Sequence, residues 1–147
     1  MAIAYAAFSQ TLNITGSTII DSNWDIKITN VTTKNIIGDA TKAIEPVVSD
    51  TAVTFKTNLV QPGDSMTYSV TITNAGTIDA KVDSIEMTKS QNPAIVFSET
   101  GVNENDLLKA GETQTFDVTV SYNTNVTSQP EELSGTLTVK LNYVQNS

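Results

Sequence analysis

The chain of 147 residues has no cysteine and no histidine, and its eight basic residues are all lysine. Without cysteine it has no disulfide, no thiolate nucleophile and no cysteine-ligated zinc or iron–sulfur centre. Without histidine it lacks the commonest general base and metal ligand. Sixteen acidic residues against eight scattered lysines give a net charge of −8. Such a chain is repelled by nucleic-acid phosphates and by anionic lipid, so neither is expected as a partner. No apolar run approaches the ~18–20 residues of a membrane-spanning helix, so insertion of the mature chain into a membrane is not expected.

The same absences remove the usual enzymatic constellations. Ser-His-Asp and Cys-His arrangements need missing residue types, and there is no glycine-rich phosphate loop. Glu131 and Glu132 are adjacent, and neighbours on an extended chain point apart, so they form no acid/base pair. The chain is read as a non-enzyme without a cofactor or resident metal.

What remains is a strand-forming sequence. Apolar residues make up 39%, enough for one domain that buries roughly 68–70% of its unfolded surface. Trp24, Ile26 and Ile28 alternate with polar residues, and Val53 and Phe55 lead on to Leu59. The pattern recurs at Tyr68, Val70 and Ile72, and at Phe116, Val118, Val120 and Tyr122. It closes at Leu133, Leu137, Val139, Leu141 and Tyr143, with Gly135 on the same face. Alternation with one wet face indicates antiparallel sheets covered on one side. Gly, Pro, Asn and Asp punctuate the intervals, as in "QPGD", "TNAGT" and "KAGE". The fold class is therefore all-β, an antiparallel immunoglobulin-like β-sandwich, with a jelly-roll-like variant satisfying the same pattern. Little helix is expected, at most one turn in "NENDLL" (103–108).

One internal repeat is visible. "LVQPGDSMTYSVTIT" (59–73) aligns without gaps on "LLKAGETQTFDVTVS" (107–121). Each copy is a turn pinned by Gly63 or Gly111, followed by a strand that enters the core. The copies are too short for domains and are read as two equivalent edges of one sandwich.

The N-terminus is unusual. Ala4-Tyr5-Ala6 has the small-x-small form that signal peptidases accept, with Ala4 and Ala6 as the small residues. Residues 1–6 are read as a signal-peptide remnant or an added start, and residues 7–147 as one domain. Within 7–20, Phe8, Leu12 and Ile14 share one side of an extended chain. That strand either pairs inside its own sandwich or is donated to a neighbour.

Pro62-Gly63-Asp64, Tyr68-x-Val70-x-Ile72 and Asn74-x-Gly76-Thr77 together resemble a pattern of bacterial surface immunoglobulin-like modules. With Ala6-Ala7-Phe8 ahead of them, the chain is similar to the TasA–camelysin family of secreted fibre proteins; residues 30–50 and 86–106 do not match. The resemblance implies a secreted, extracellular or cell-surface structural subunit of a bacterial or archaeal fibre, pilus or biofilm matrix. Its partner would be the chain itself, through donation of the N-terminal strand, with other surface proteins as further contacts. The peptidase activity described for camelysin finds no His-Glu-x-x-His here. The alternative is a monomeric adhesion or spacer module binding through loops such as 38–50 or 98–110.

Three smaller features have plain readings beside sharper ones. "DSNWD" (21–25) spaces acids like the start of an EF-hand loop but lacks its glycine and closing glutamate, so a turn is expected. Asp79, Asp83 and Glu86, and likewise Glu99, Glu104, Asp106 and Glu112, are read as solvated loop acids rather than a calcium site. Lys27 or Lys56 with Asn142 is the pairing to examine for a pilin-like isopeptide link.

Overall fold

Period-two sequences sort each strand into a core row and a solvent row. The computed structural model, which describes residues 22–125 and 134–146, shows this in ten strands. They are β1 (Ile26–Ile37), β2 (Thr41–Lys42), β3 (Val47–Val48), β4 (Ala52–Asn58) and β5 (Ser65–Asn74). β6 (Ala80–Lys89), β7 (Ile95–Thr100), β8 (Leu107–Leu108), β9 (Thr113–Tyr122) and β10 (Ser134–Gln145) follow. One sheet runs β1-β5-β9-β7; the other runs β2-β4-β10-β6-β8, with β3 also on β4. All pairings are antiparallel, and the described residues contain no helix. The architecture is all-β and sandwich-like.

The core lies between the sheets. β5 contributes Met66, Tyr68, Val70 and Ile72, and β9 contributes Phe116, Val118, Val120 and Tyr122. Val53 and Phe55 of β4 and Leu137, Val139, Leu141 and Tyr143 of β10 face them. Trp24, expected in the core, is there, buried just ahead of β1. Each fully buried Val, Leu or Phe contributes about 1.5–3 kcal/mol. The Phe55 and Tyr68 rings stack across the layers with centroids 4.3 Å apart. Hydrogen bonds also bridge the sheets, among them Thr57 Oγ1 with the Tyr68 hydroxyl at 2.7 Å and the Tyr143 hydroxyl to Gln114 Oε1 at 3.2 Å.

The repeat does not form two edges. Its strands, β5 and β9, are the two central strands of the first sheet and pair with each other. Ser69, which the repeat aligns with Asp117, also lies directly opposite Asp117, so a local pseudo-twofold passes through that pair. The flanking bonds obey it. Gly63 N–H donates to Tyr122 O and Tyr122 N–H to Asp64 O; Gly111 N–H donates to Asn74 O and Asn74 N–H to Glu112 O. The repeat is central because two copies of one turn-and-strand unit close each other's ends.

Both turns follow the type II pattern, which needs positive φ at the third residue. Asp64 N–H donates to Gln61 O and Glu112 N–H to Lys109 O, with φ of 95° at Gly63 and 83° at Gly111. The "NENDLL" segment is a third such turn rather than helix. Asp106 N–H donates to Asn103 O, Asn105 has φ 72°, and β8 starts at Leu107. The Asp106 carboxylate also accepts Asn103 N–H, and so closes the turn before a helical ladder can begin.

Candidate functional site: an unclosed flank of the sandwich

The site residues singled out in the sequence fall into two groups. Ala4, Ala6, Phe8, Leu12 and Ile14 lie outside the described residues. Pro62, Gly63, Asp64 and Gly111 form the two type II turns. The buried Asp64 carboxylate accepts Val60 N–H at 3.0 Å and Gln61 N–H at 3.1 Å, and Gly38 passes so close to it that no side chain fits there. These turn residues build the fold.

The Asn74-x-Gly76-Thr77 motif is also architectural. Asn74 Nδ2 donates to Ile78 O and Leu108 O, while its Oδ1 accepts Gly76 N–H. Thr77 Oγ1 accepts Asn23 N–H, Thr77 N–H donates to Asn23 O, and Ala75 N–H donates to Asp25 O. Gly76 is required because a Cβ would strike Asn23 O and Asp25 N. The motif therefore clasps the chain just before it enters β1.

That entry leads to a thinly covered part of the described fold. Cross-strand neighbours share a face. Ile28, Val31, Thr33 and Ile36 of β1 lie opposite Ile72, Val70, Tyr68 and Met66, so all four are on the core side. Their β5 partners are at most 1% exposed, whereas Ile36 is 50% exposed and Ile28 and Val31 are only partly buried. Among the described residues the second sheet offers little to cover them. Its nearest edge is β2 and β3, two residues each, with Glu45-Pro46 between them and Val48 on the core side but 45% exposed. Between these edges runs a cleft of about 330 Å³ lined by Ile28, Thr29, Asn30, Val31, Glu45, Pro46 and Val48.

Two bulges hid this row from the alternation rule. The register slips between Ile28 and Asn30 and between Thr33 and Asn35. Core-side positions are thus spaced three, two and three residues apart. A strict period of two ends the strand at Thr29.

The opposite flank is filled at β7, although core-side Met87 of β6, opposite Val139, is 37% exposed. Core-side Ile95 is 6% exposed, and Ile95 and Phe97 press on Gly135, where an added Cβ would meet each at 2.9 Å. Glu99, opposite Val118, is the next core-side residue of that edge strand and accepts Val102 N–H at 3.2 Å. Burial raises its pKa above the ordinary 4.5; the Val102 bond opposes the shift and the charge of Asp106 adds to it. An inward charge on an edge strand resists further pairing.

The acidic groups act as loop caps. Asp79 accepts Ala110 N–H, and Asp106 accepts Asn103 N–H and the Gln114 side-chain N–H. Among the described residues no three His, Cys, Asp or Glu side chains converge as a metal site. Asp25 pairs with Lys27 at 3.6 Å. Asn142 donates to Ser84 and Glu86, and Lys56 lies opposite Thr136, six residues or about 20 Å away along β10. Lys56 is thus out of reach of Asn142, and Lys27 is engaged by Asp25. No family model, curated protein or solved structure matches this chain.

Proposed function

We propose that the chain is a secreted structural subunit of an extracellular bacterial or archaeal fibre, pilus or biofilm matrix, assembling by donation of its N-terminal strand. The observation that carries the reading is the unclosed β1 flank. Among the described residues, β1 pairs on one side only and carries a core-side apolar row that is half bare. Bare apolar rows and open edges are where chains associate. The segment Phe8–Thr15 supplies a charge-free strand with Phe8, Leu12 and Ile14 on one side. The similarity to TasA–camelysin proteins in the N-terminal segment and in the Pro-Gly-Asp and Asn-x-Gly motifs points the same way.

The test is assembly itself. Protein beginning at Ala7 is taken to rising concentration and viewed by negative-stain electron microscopy. Regular fibres, lost on deletion of residues 7–15 with the fold retained by circular dichroism, are the expected result. Monodisperse particles at every concentration overturn it in favour of an adhesion or spacer module.

A further inference from the structure

We propose that the cleft at the β6–β7 turn binds a uronic-acid sugar, with Lys89 as the partner of its carboxylate. The site goes beyond the fibre-subunit reading and stands whether or not the chain forms fibres.

The cleft holds about 270 Å³ and is lined by Lys89, Ser90, Gln91, Asn92, Pro93 and Ile95. Pockets for drug-sized ligands run to roughly 300–1,000 Å³, so this one suits a single sugar ring. Its charge comes from one residue. Lys89 lies opposite Leu137 and therefore stands in the inner row of β6, after Val82, Ile85 and Met87. The row is otherwise apolar, and Leu137 is 0% exposed. The ion pairs among the described residues engage Lys27, Lys34 and Lys42, which leaves the Lys89 ammonium for an anion from outside. An inward lysine at a sheet edge also discourages pairing, but that role uses the charge alone and needs neither a cleft nor a polar lining.

The rest of the lining is neutral and forms hydrogen bonds. Ser90 Oγ accepts Thr136 N–H at 3.2 Å and keeps its own O–H to donate, and the Gln91 amide both donates and accepts. Pro93 and Ile95 supply apolar walls. A carboxylated sugar matches each part: its carboxylate meets Lys89, its hydroxyls meet Ser90 and Gln91, and its C–H face meets Pro93. A phosphate is better served by a helix N-terminus or an arginine fork, and a nucleobase by an aromatic ring; none of these lines the cleft.

The turn is also held in place before any ligand arrives. Ser90 N–H donates to Thr136 O, Asn92 N–H to Ser90 O, Ile95 N–H to Asn92 O and Asn123 N–H to Ala94 O. Asn92 Oδ1 accepts Ala94 N–H at 3.0 Å. These bonds tie the turn to β10 on one side and to the end of β9 on the other, which lowers the ordering cost of binding.

For the test, the full chain is tethered sparsely to a sensor surface and titrated with tri-galacturonate and with its methyl ester, the same sugar without charge. Preference for the acid, weakened about tenfold or more by Lys89→Gln and less by Gln91→Ala, is expected. Both residues are exposed, so neither change disturbs the core. Tighter binding of the trimer than of single galacturonate marks a polysaccharide as the source, and equal binding marks the free sugar. Lys109→Gln makes the same charge change beside β8 and should leave affinity unchanged; an equal loss there reduces the effect to overall charge and overturns the site. Equal binding of the methyl ester removes the carboxylate from the recognition, and equal binding of tri-glutamate makes the partner an acidic peptide; either overturns the assignment. No binding by the wild type overturns it too, and binding that emerges only in Glu131→Gln/Glu132→Gln gives Lys89 to the chain's own acids.

Discussion

The Thr57–Tyr68 pair ties the two sheets together at the centre of the core, and its removal can be predicted in magnitude. Thr57 is 0% exposed and Tyr68 1%, their oxygens are 2.7 Å apart, and the phenol stacks on Phe55. Tyr68→Phe keeps the ring and its stacking but strands the Thr57 hydroxyl in an apolar setting, at a cost of about 1–3 kcal/mol. Thr57→Val keeps shape and strands the phenol, with a cost of the same size. The double variant removes both polar groups and leaves apolar groups of the same outline, so its cost is well below the sum of the two single costs. A coupling of about 1–2 kcal/mol follows, and each single variant lowers Tm by roughly 2–4 °C per kcal/mol lost. Urea unfolding followed by the emission of Trp24, the sole tryptophan and buried at 8%, provides the reading. Single variants indistinguishable from wild type, or a strictly additive double variant, would refute the idea that this bond links the layers.

Other positions give equally direct tests. Gly76→Ala drives a Cβ into Asn23 O and Asp25 N, so it should cost about 2–3 kcal/mol in denaturant unfolding and loosen the start of β1 in amide exchange. Gly63→Ala and Gly111→Ala, pseudo-twofold equivalents at φ 95° and 83°, should each cost about 1–2 kcal/mol; a large difference between them would contradict the equivalence. Glu99 has a raised pKa in the fold, chiefly from burial, so its charged form opposes folding. That opposition is fully present above the raised pKa and fades as pH falls through it towards the ordinary 4.5. Glu99→Gln should therefore raise Tm at pH 7 and leave it nearly unchanged near pH 4; equal shifts at both would remove the electrostatic account. Tyr143, pushed upward by burial and then by the charge of Asp106, should stay protonated past the ordinary 10 in ultraviolet titration.

The sequence showed four of the long strands because their core rows alternate without interruption: Val53 and Phe55, Tyr68 to Ile72, Phe116 to Tyr122, and Leu137 to Tyr143. It missed most of β6 and β7, where few positions repeat and exposed residues dominate the outer half. The candidate site was the least legible part. Val31 drops out of the period of two set by Ile26 and Ile28, Ile36 returns to it only after a second bulge, and nothing local announces how thinly the described part of the facing sheet covers them.

By itself the sequence determined the class of the protein: the all-β chemistry, the positive-φ turns at Gly63 and Gly111, and the lack of residues for the common enzymatic sites. Each of these depends on a residue's own conformational limits or on its near neighbours, so it can be read in one dimension. Only the tertiary structure decided that the two repeats are partners through a pseudo-twofold, that Asn74 and Gly76 hold the entry to β1, and that the core-side row of β1 is half bare among the described residues. Those outcomes depend on which strands lie side by side and on what covers each face, and long-range pairing alone fixes both.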